Sequence, residues 1–292
     1  MVGLLLLDKP QGISSFGAAA AVRRLTGEKR VGHTGTLDPM ATGLLPLLLG
    51  QATRLCSVLM DTEKEYEAVL RLGQTTDTLD TTGVLLSQTA PASEEDLKNV
   101  LPRFTGNILQ TPPMFSALKK DGVRLYQLAR EGREIQREAR PVEIYELELL
   151  EKCGPADYRL RVRCSKGTYI RTLCDDIGAA LGCGGVMAAL RRTYTGGFSI
   201  HDAVSLNILE KEKIATHILP ADRAVTHYPA LSVSTAQAAR FQNGGQLDFD
   251  RLRLPKTPAS FYRVYAPDGS FLGLGKREEE KKRLAVACLI QK

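Results

Sequence analysis

The chain has 292 residues; 43% are apolar, 39 are Lys or Arg and 33 are Asp or Glu. Such a chain can bury a large core, and no apolar run reaches the roughly 20 residues needed to span a bilayer. Six scattered cysteines without a CxxC pair and four histidines without HxxxH or HExxH spacing argue against a disulfide framework and the common zinc motifs. Residues 1–7 lack the basic region and cleavage site of a signal peptide, so we expect a reduced, cytoplasmic, metal-free protein.

Charge is distributed unevenly along the chain. Residues 229–292 hold 11 Lys or Arg against 6 Asp or Glu, whereas residues 1–228 hold 28 against 27. A basic C-terminal module on a nearly neutral body suggests a polyanionic partner. An ordinary solvated surface gives a similar count, so charge alone does not decide.

The N-terminal third begins with a buried strand and a helix. The run "LLLL" (4–7) predicts the strand, and Ser14 or Ser15 is a suitable N-cap for a helix that stops at Gly27. The stretch "GHTGTLDPMATGLLPLLLG" (32–50) then places one carboxylate, Asp38, at the edge of an apolar run. On spacing alone, the Asp-Pro pair favours a very short helix with Asp38 as its N-cap and Gly43 as its end.

Strand and turn patterns follow. Strict alternation from Tyr66 to Leu72 predicts a half-buried strand. The segment "GQTTDTLDTTG" (73–83) has turn composition and fits either a ligand loop or a simple crossover. Ser93 and Asp96 resemble a capping box, and Pro102 must end or kink the helix that follows.

Residues 110–141 have no clear period and contain seven Lys or Arg, four Asp or Glu and three prolines. A loop of this length in a compact domain is usually functional or disordered. Phe115 and Tyr126 lie among basic residues, which suits nucleic acid. A surface excursion with its own small core fits equally well.

The segment from Tyr158 to Cys164 alternates apolar residues with three arginines and predicts a strand with one cationic face. That arginine row either contacts phosphate or, more commonly, is a solvated face. The following helix contains Arg171 in its first turn, where the macrodipole disfavours a cation. Arg171 is therefore aimed at a carboxylate or phosphate, or simply extends into water.

The C-terminal segment predicts a small β module. Ser234 is a suitable cap for a helix, three short apolar segments read as strands, and Asp268-Gly269 predicts a hairpin turn. The glycine-rich stretches of the chain have neither the GK[ST] ending of a P-loop nor GxGxxG or GxSxG spacing. No nucleotide or redox cofactor is indicated.

Several segments together resemble the TruB family of bacterial tRNA pseudouridine-55 synthases. They are spread in family order from the N-terminus to about residue 225, and residues 229–292 more loosely resemble a PUA domain, an RNA-binding β module. The segments are "LLLLDKPQGISS", "RVGHTGTLDPMATGLLPLLLGQATRL", "KEYEAVLRLGQTTDTLD", "CSKGTYIRTLCDDIG", "LRRTYTGGF" and "LPADRAV".

The resemblance implies an α+β fold with a mixed, mostly antiparallel sheet, flanking helices and a small C-terminal β module. It implies a catalytic domain over 1–228, an RNA-clamping insertion at about 110–141, and a PUA-like domain over 229–292. The implied reaction converts uridine in the tRNA T-loop to pseudouridine at position 55, without cofactor or metal. The implied partner is the tRNA T-arm, and the enzyme is expected to be a monomer with no obligatory protein partner and no membrane association.

The resemblance also assigns residues by motif. Asp38 is the catalytic aspartate, Tyr66 stacks on the target base and can move a proton, and Arg171 pairs with the aspartate. The remaining assignments are pocket walls at Tyr169 and Leu190 and RNA-binding residues at His33, Arg54 (often Lys in the family), Lys119, Lys120 and Arg124.

Three alternatives stay open at this point. Asp38 can attack C1′ or C6, or start an elimination at C2′. The chain can be an RNA-folding protein with secondary or lost catalysis, although Asp38, Tyr66 and Arg171 are all present, or an enzyme with an added chaperone role. A guide-RNA-dependent synthase would need partner proteins, and the sequence has no long basic tail to recruit them.

Overall fold

The computed structural model describes residues 1–59, 62–116, 118–120, 122–254 and 258–290, without the side chains of residues 58, 59, 119, 120, 124 and 130. The strands are β1 (Gly3–Lys9), β2 (Val31–His33), β3 (Thr42–Leu49), β4 (Lys64–Leu72), β5 (Gln74–Thr76), β6 (Leu85–Gln88), β7 (Gly106–Gln110), β8 (Lys119–Lys120), β9 (Val123–Arg124), β10 (Arg140–Lys152), β11 (Asp157–Cys164), β12 (Gly185–Thr195), β13 (Phe198–Ser199), β14 (Val204–Ser205), β15 (Ala230–Ser232), β16 (Leu247–Asp248), β17 (Phe261–Tyr265), β18 (Phe271–Glu278) and β19 (Arg283–Leu289). The α-helices are α1 (Ser15–Thr26), α2 (Cys56–Leu59), α3 (Glu94–Val100), α4 (Leu125–Arg130), α5 (Ile170–Ala180) and α6 (Thr235–Gln242).

Three helices begin at the serines that the sequence indicated. Ser14 accepts from the Gly17 N–H to start α1, which ends at Gly27 in the left-handed conformation. Ser93 and Ser234 form capping boxes at α3 and α6. Because each hydroxyl satisfies an N–H that the helix itself leaves unpaired, these local signals determine the helix starts.

The chain folds into two compact units, of which the first contains Met1–Asp38, Leu44–Asp61 and His201–Lys292. Within it, the predicted strand β1 lies between β14 and β3, and β2 pairs with β3 in antiparallel register. The four leucines of β1 are at most 3% exposed, so the strand is buried on both faces.

The short helix expected after Asp38 is absent, and that prediction was wrong. Pro39 and Met40 form a turn, and the apolar run from Thr42 to Leu49 is strand β3. The leucines of this run are all fully buried. An apolar run that is buried on both faces suits a central strand between two neighbours, and that packing overrides the Asp-Pro cap signal.

The C-terminal segment of this unit forms the expected β module. Its five strands have the order β15-β17-β18-β19-β16, and α6 packs on a core that includes Phe241 and Tyr262, both fully buried. The predicted hairpin turn is present, since the Ser270 N–H donates to the Asp268 carboxylate. Tyr265 donates to Asp222 at 2.7 Å, which ties the module to the segment before it.

The second unit contains Pro39–Gly43 and Thr62–Ile200. Its sheet has the order β12-β4-β11-β10-β7, with every pair antiparallel, and β13 pairs with β12. The first residues of β3 pair in parallel with β12 at Arg191 and Arg192. The predicted alternation in β4 is confirmed, with Tyr66, Ala68, Leu70 and Leu72 on the buried face.

Helix α5 packs closely against β12 of this sheet. A Cβ on Gly178 would lie 2.0 Å from the Gly185 nitrogen, so only glycine allows the helix to approach the start of the strand. This close packing fixes the position of the helix whose first turn carries Arg171.

The predicted insertion at about 110–141 has a small hydrophobic core of its own. A surface excursion with such a core was one of the two interpretations that the sequence left open. Met114, Leu125 and Leu128 are buried together in it, and Phe115 packs against them. Helix α4, which carries Leu125 and Leu128, lies inside a segment whose sequence shows no helical period.

The α+β class with a mixed, mostly antiparallel sheet is confirmed. The two compact units do not coincide with the expected domains 1–228 and 229–292, and that division stays a prediction. Within the described residues, no helix is both long enough and apolar enough to cross a membrane.

Candidate active site

Asp38 lies in the loop between β2 and β3 and is half-buried. The residue before it is pinned from both sides: the Ser15 hydroxyl accepts from the Leu37 N–H at 2.8 Å and donates to the Leu37 carbonyl at 3.0 Å. Ser15 and Leu37 are 1% and 3% exposed. The main chain that carries the carboxylate is therefore anchored to the first turn of α1, although it lies in a loop.

The segment that follows Asp38 is held against β12. Gly43 has φ 102°, and a Cβ there would lie 2.3 Å from the carbonyl oxygen of Arg192. Only a glycine accommodates both the positive φ and this approach. Pro39–Gly43 is thus fixed at its far end by strand pairing with Arg192.

Tyr66 and Leu190 are brought together on adjacent strands of the second unit. Tyr66, in β4, is 6% exposed and lies opposite Arg192 of β12, while Leu190 lies opposite Ala68. Tyr66 and Leu190 are therefore diagonal neighbours on one face of the sheet, close enough for an aromatic and an aliphatic side chain to touch. This placement agrees with a shared pocket, whose function stays a prediction.

Arg171 is buried in the first turn of α5, with 5% exposure, so it does not extend into water. Its NH1 donates to the Thr78 carbonyl at 3.2 Å, and its NH2 donates to the Phe115 carbonyl at 2.8 Å. The same NH1 lies 3.8 Å from the Asp80 carboxylate. These contacts fix the guanidinium plane; the expected pairing with Asp38 stays a prediction.

Asp80 organises the turn-rich stretch that faces Arg171. It is 4% exposed, and one carboxylate oxygen accepts from the Thr78 hydroxyl, the Thr82 N–H and the Thr82 hydroxyl. Its own carbonyl accepts from Thr76 at 2.7 Å. The segment "TTDTLDTT" is therefore a folded hydrogen-bonded turn whose second aspartate faces a buried arginine.

Tyr169 precedes α5 and is held through its main chain. Gln110, only 2% exposed, donates to the Tyr169 carbonyl at 3.1 Å and accepts from its N–H at 2.9 Å. This two-way contact holds the main chain at the residue before α5, a helix that has no side-chain N-cap hydrogen bond. The half-buried Tyr169 ring thus projects from a fixed main chain.

The expected RNA-binding residues are more scattered. His33 is half-buried in β2, opposite Leu47 of β3. Arg54 is exposed, and its NH1 donates to the Leu289 carbonyl at 2.9 Å, so part of its hydrogen-bonding capacity is used within the unit. The side chains of Lys119, Lys120 and Arg124 lie outside the described part of the structure.

The arginine row of β11 is matched by glutamates of β10 on one side and of β4 and the residue before it on the other. Arg163 pairs with Glu63 at 2.9 Å, and Arg159 pairs with Glu151 at 2.9 Å and Glu67 at 3.5 Å. Arg161 pairs with Glu146 and Glu148 of β10. The row is a neutralised, partly exposed face rather than a free cationic surface. This agrees with the interpretation of the row as a solvated face.

Two buried polar residues at this site were not indicated by the sequence. Arg192 is 1% exposed, and its guanidinium hydrogen-bonds the Tyr66 side chain. Burial lowers the pKa of Arg192, and the contact with Tyr66 opposes that effect. The second buried polar residue is Asp80, and its only indication in the sequence was the number of threonines around it. Burial of Arg192 depends on strand pairing, which no local pattern encodes.

Comparison with known families decides the assignment. Models described as the TruB family pseudouridylate synthase N-terminal domain, the tRNA pseudouridylate synthase B C-terminal domain and the pseudouridine synthase II TruB C-terminal domain match residues 23–170, 171–226 and 229–289. The chain belongs to the TruB family.

Relatives and a solved structure agree with that membership. The chain is 48% identical to a tRNA pseudouridine synthase B of Azoarcus sp. (strain BH72), over 94% of this chain and 90% of the relative. It is 44% identical to the enzyme of that name from Pseudomonas aeruginosa (strain UCBPP-PA14), over 99% and 96%. The crystal structure of a Cbf5–Nop10–Gar1 complex contains a chain of 28% identity with a TM-score of 0.74, covering 100% of this TruB chain and 84% of that chain.

Proposed function

We propose that this protein isomerises uridine to pseudouridine in the T-loop of tRNA, at position 55. It acts on the T-arm as a monomer, in the cytoplasm, without an obligatory protein partner. The observation that carries the proposal is the 48% identity, over 94% of the chain, to a tRNA pseudouridine synthase B. The buried ionisable groups Arg171, Asp80 and Arg192 support a working site, because such groups cluster at functional sites.

Asp38 is proposed as the catalytic group. The reaction breaks the N1–C1′ bond, rotates the uracil and joins C5 to C1′, so no electron or water is consumed. An ionised carboxylate can act as the nucleophile or as the base. The pinned Leu37 main chain supports this role, since a reacting group must be held within a fraction of an ångström of its productive position.

Arg171 is proposed to keep that carboxylate ionised. A cation close to an acid favours its charged form and offsets the desolvation of a closed pocket. The two carbonyls that accept from Arg171 hold its guanidinium in a defined orientation. Asp80, at 3.8 Å, partly balances the charge of the buried arginine.

Tyr66, Leu190 and Tyr169 are proposed to receive the target base. A uridine must leave its stack before it can react, which costs about a few kcal/mol, and stacking on an aromatic ring returns part of that energy. Tyr66 and Leu190 lie side by side on rigid strands, which supports a preformed surface for the base. A closed, apolar wall also keeps water from the detached sugar and retains the free uracil.

The direct test uses the purified protein alone. It is incubated with an unmodified tRNA transcript, and pseudouridine is mapped by position. We expect a single modified site in the T-loop without any added protein or guide RNA. Absence of product would refute the proposed reaction, and product at another position would refute the substrate assignment.

A further inference from the structure

Helix α1 presents an aromatic side chain to solvent. Phe16, at its second position, is 68% exposed. The buried face of the helix is made of other residues, namely Ser15, Ala18, Ala19 and Val22. The N-cap contact is also made by other residues, since the Ser14 hydroxyl accepts from the Gly17 N–H. Neither the core nor the cap therefore accounts for a large apolar side chain at this position.

One face of the Phe16 ring is covered by a cation. The guanidinium carbon of Arg23, two turns further along α1, lies 5.1 Å from the ring centroid. Ala20 lies between them on the same side of the helix and leaves room for the arginine to extend toward the N-terminus, the direction in which helical side chains point. The high exposure of Phe16 leaves the other face of its ring open. An aromatic ring in contact with an arginine and open on one face suits stacking with a nucleobase.

A shallow depression of about 410 Å³ continues this surface toward the end of α1. It is lined by Ala20, Arg23, Arg24, Gly27, Glu28 and Lys29. The one acid of this set, Glu28, accepts from the Met1 amino group at 3.0 Å and from the Arg30 N–H at 3.2 Å. Within the described part of the chain, neither Arg24 nor Lys29 forms an ion pair. These cations thus differ from the arginines of β11, which are paired with glutamates.

Helix stability alone does not explain this set of residues. The helix dipole favours Arg23 and Arg24, which lie in the last turn of α1. Lys29 lies beyond the end of the helix at Thr26, and Phe16 carries no charge. A surface that combines unpaired cations with an open aromatic ring is complementary to a nucleic acid, which offers both phosphates and bases.

This surface adjoins the loop that carries Asp38. Ser15 directly precedes Phe16, and its hydroxyl is hydrogen-bonded to the main chain of Leu37, the residue before Asp38. All four residues belong to the first compact unit. When a target uridine reaches Asp38, nucleotides close to it in the RNA are therefore brought near Phe16.

We propose that the α1 surface, formed by Phe16, Arg23, Arg24 and Lys29, binds the T-arm of the tRNA outside the target uridine. Phe16 stacks on an unpaired base, Arg23 holds the ring from its other face, and Arg24 and Lys29 contact phosphates. This inference rests on the proposed function and adds a second contact site for the same substrate.

The first experiment reads stacking directly. The chain contains no tryptophan, so Phe16→Trp introduces a single fluorescent reporter at the proposed contact. Bases that stack on an indole quench its fluorescence. With a saturating unmodified T-arm hairpin, the emission of this variant should fall by about twofold or more. Ile208→Trp is the matched control, because Ile208 is 66% exposed and belongs to the same unit. Its emission should stay unchanged.

Binding of the hairpin is measured separately by filter retention, so that quenching is compared only between saturated proteins. Undiminished emission of RNA-bound Phe16→Trp would overturn the inference, as would equal quenching in Ile208→Trp. The same reporter tests a membrane as the other polyanionic partner. A blue shift with vesicles of phosphatidylcholine and phosphatidylglycerol, without quenching by RNA, would overturn the assignment to RNA.

The second experiment separates the ring from its bulk. At fixed salt, Phe16→Leu should raise the Kd for tRNA about fivefold or more, because leucine cannot stack on a base. Phe16→Tyr keeps the ring and should stay within about twofold of the wild type. Equal losses in the two variants, or a wild-type Kd in Phe16→Leu, would overturn the stacking role.

The third experiment tests the phosphate contacts. Arg24→Gln and Lys29→Gln should each make the slope of log K against log salt less steep by up to about one. Arg161→Gln is the control, since its arginine is paired with two glutamates. An unchanged slope in the Arg24→Gln, Lys29→Gln double variant would overturn these contacts. A wild-type protein that binds tRNA but forms no pseudouridine would instead refute the proposed function, and the quenching result would stand apart from it.

Discussion

Arg171 carries a positive charge at the second position of α5, where the helix dipole opposes it, and yet it is buried. Two main-chain carbonyls and the nearby Asp80 carboxylate hold it there. These partners come from two distant segments, the turn at Thr78 and the insertion at Phe115. The arginine therefore connects three parts of the second unit, and its geometry matters as much as its charge.

Substitution of Arg171 by lysine tests that statement. Lysine keeps the charge but has a single nitrogen, so it cannot donate to both carbonyls and also present a planar pair of donors. We expect the single-turnover rate of Arg171→Lys to fall about ten- to a hundredfold, which corresponds to one charge-assisted hydrogen bond. Affinity for tRNA should stay within about threefold.

Arg163→Lys is the matched control for this change, since its arginine is exposed and pairs with Glu63. It should leave the rate unaltered. A wild-type rate in Arg171→Lys would mean that the guanidinium geometry does not contribute to the reaction.

At the scale of elements, α5 carries an unusual pair of carboxylates. Asp175 and Asp176 are both half-buried, and burial together with the charge of Asp175 raises the pKa of Asp176 to about 6. In the unfolded chain the same carboxyl has a pKa of 3.8. Between these values the folded protein holds a proton that the unfolded chain has released, so stability falls as the pH rises through this window.

Asp176→Asn should remove this pH dependence. The amide cannot ionise, so the variant should be more stable than the wild type above about pH 6, by about 1 kcal/mol after allowance for solvent screening. The melting temperature should rise by about 2 to 4 °C at pH 7.5, and the difference should vanish near pH 4. Glu212→Gln, at an exposed position, serves as the control and should show no such trend. A stabilisation of Asp176→Asn that is equal at pH 4 and pH 7.5 would contradict this account.

The sequence correctly predicted those helices and strands whose signals lie in the residues of the element itself or next to it. The serines at the starts of α1, α3 and α6 and the alternation in β4 and β11 all correspond to observed structure. The predicted helix after Asp38 failed because β3 is stabilised by its neighbours in the sheet, which a single segment does not reveal.

The same distinction applies to the site. Motif similarity indicated Asp38, Tyr66 and Arg171, but Arg192 and Asp80 became visible only through strand pairing and burial. The neutral charge of the arginine row likewise depends on which glutamates β4 and β10 place beside β11.

At the scale of the whole molecule, the distribution of charge limits where RNA can bind. The arginines of β11 are paired with glutamates, so they contribute little net field. The C-terminal module keeps a net excess of five positive charges over residues 229–292, and Arg253 and Lys276 are among its exposed residues. We therefore expect this module to supply a larger share of the attraction for phosphate than the sheet face does.

The affinity for tRNA should depend steeply on salt. For about five phosphate contacts on folded RNA, a plot of log K against log salt should have a slope of about −3 to −5. Lys276→Gln and Arg253→Gln should each reduce the steepness by up to about one, because each can remove one phosphate contact. Arg161→Gln should leave the slope unchanged, since its guanidinium is already neutralised within the sheet. A flat salt response of the wild type would refute the basic-surface interpretation.

The measurement that tests the central claim most directly is the behaviour of Asp38→Asn. Asparagine keeps the size of the side chain, and no helix begins at this position, so the melting temperature should change by no more than about 2 °C. Affinity for tRNA should also be preserved, because the phosphate contacts that we expect involve other residues. A neutral amide can neither attack the ribose or the base nor accept a proton as a carboxylate does, so single-turnover conversion should fall by at least about a thousandfold. Such a variant would also allow any RNA-folding activity to be assayed separately. A stable Asp38→Asn protein that forms pseudouridine at about a tenth of the wild-type rate or faster would contradict the assignment of Asp38 as the catalytic group.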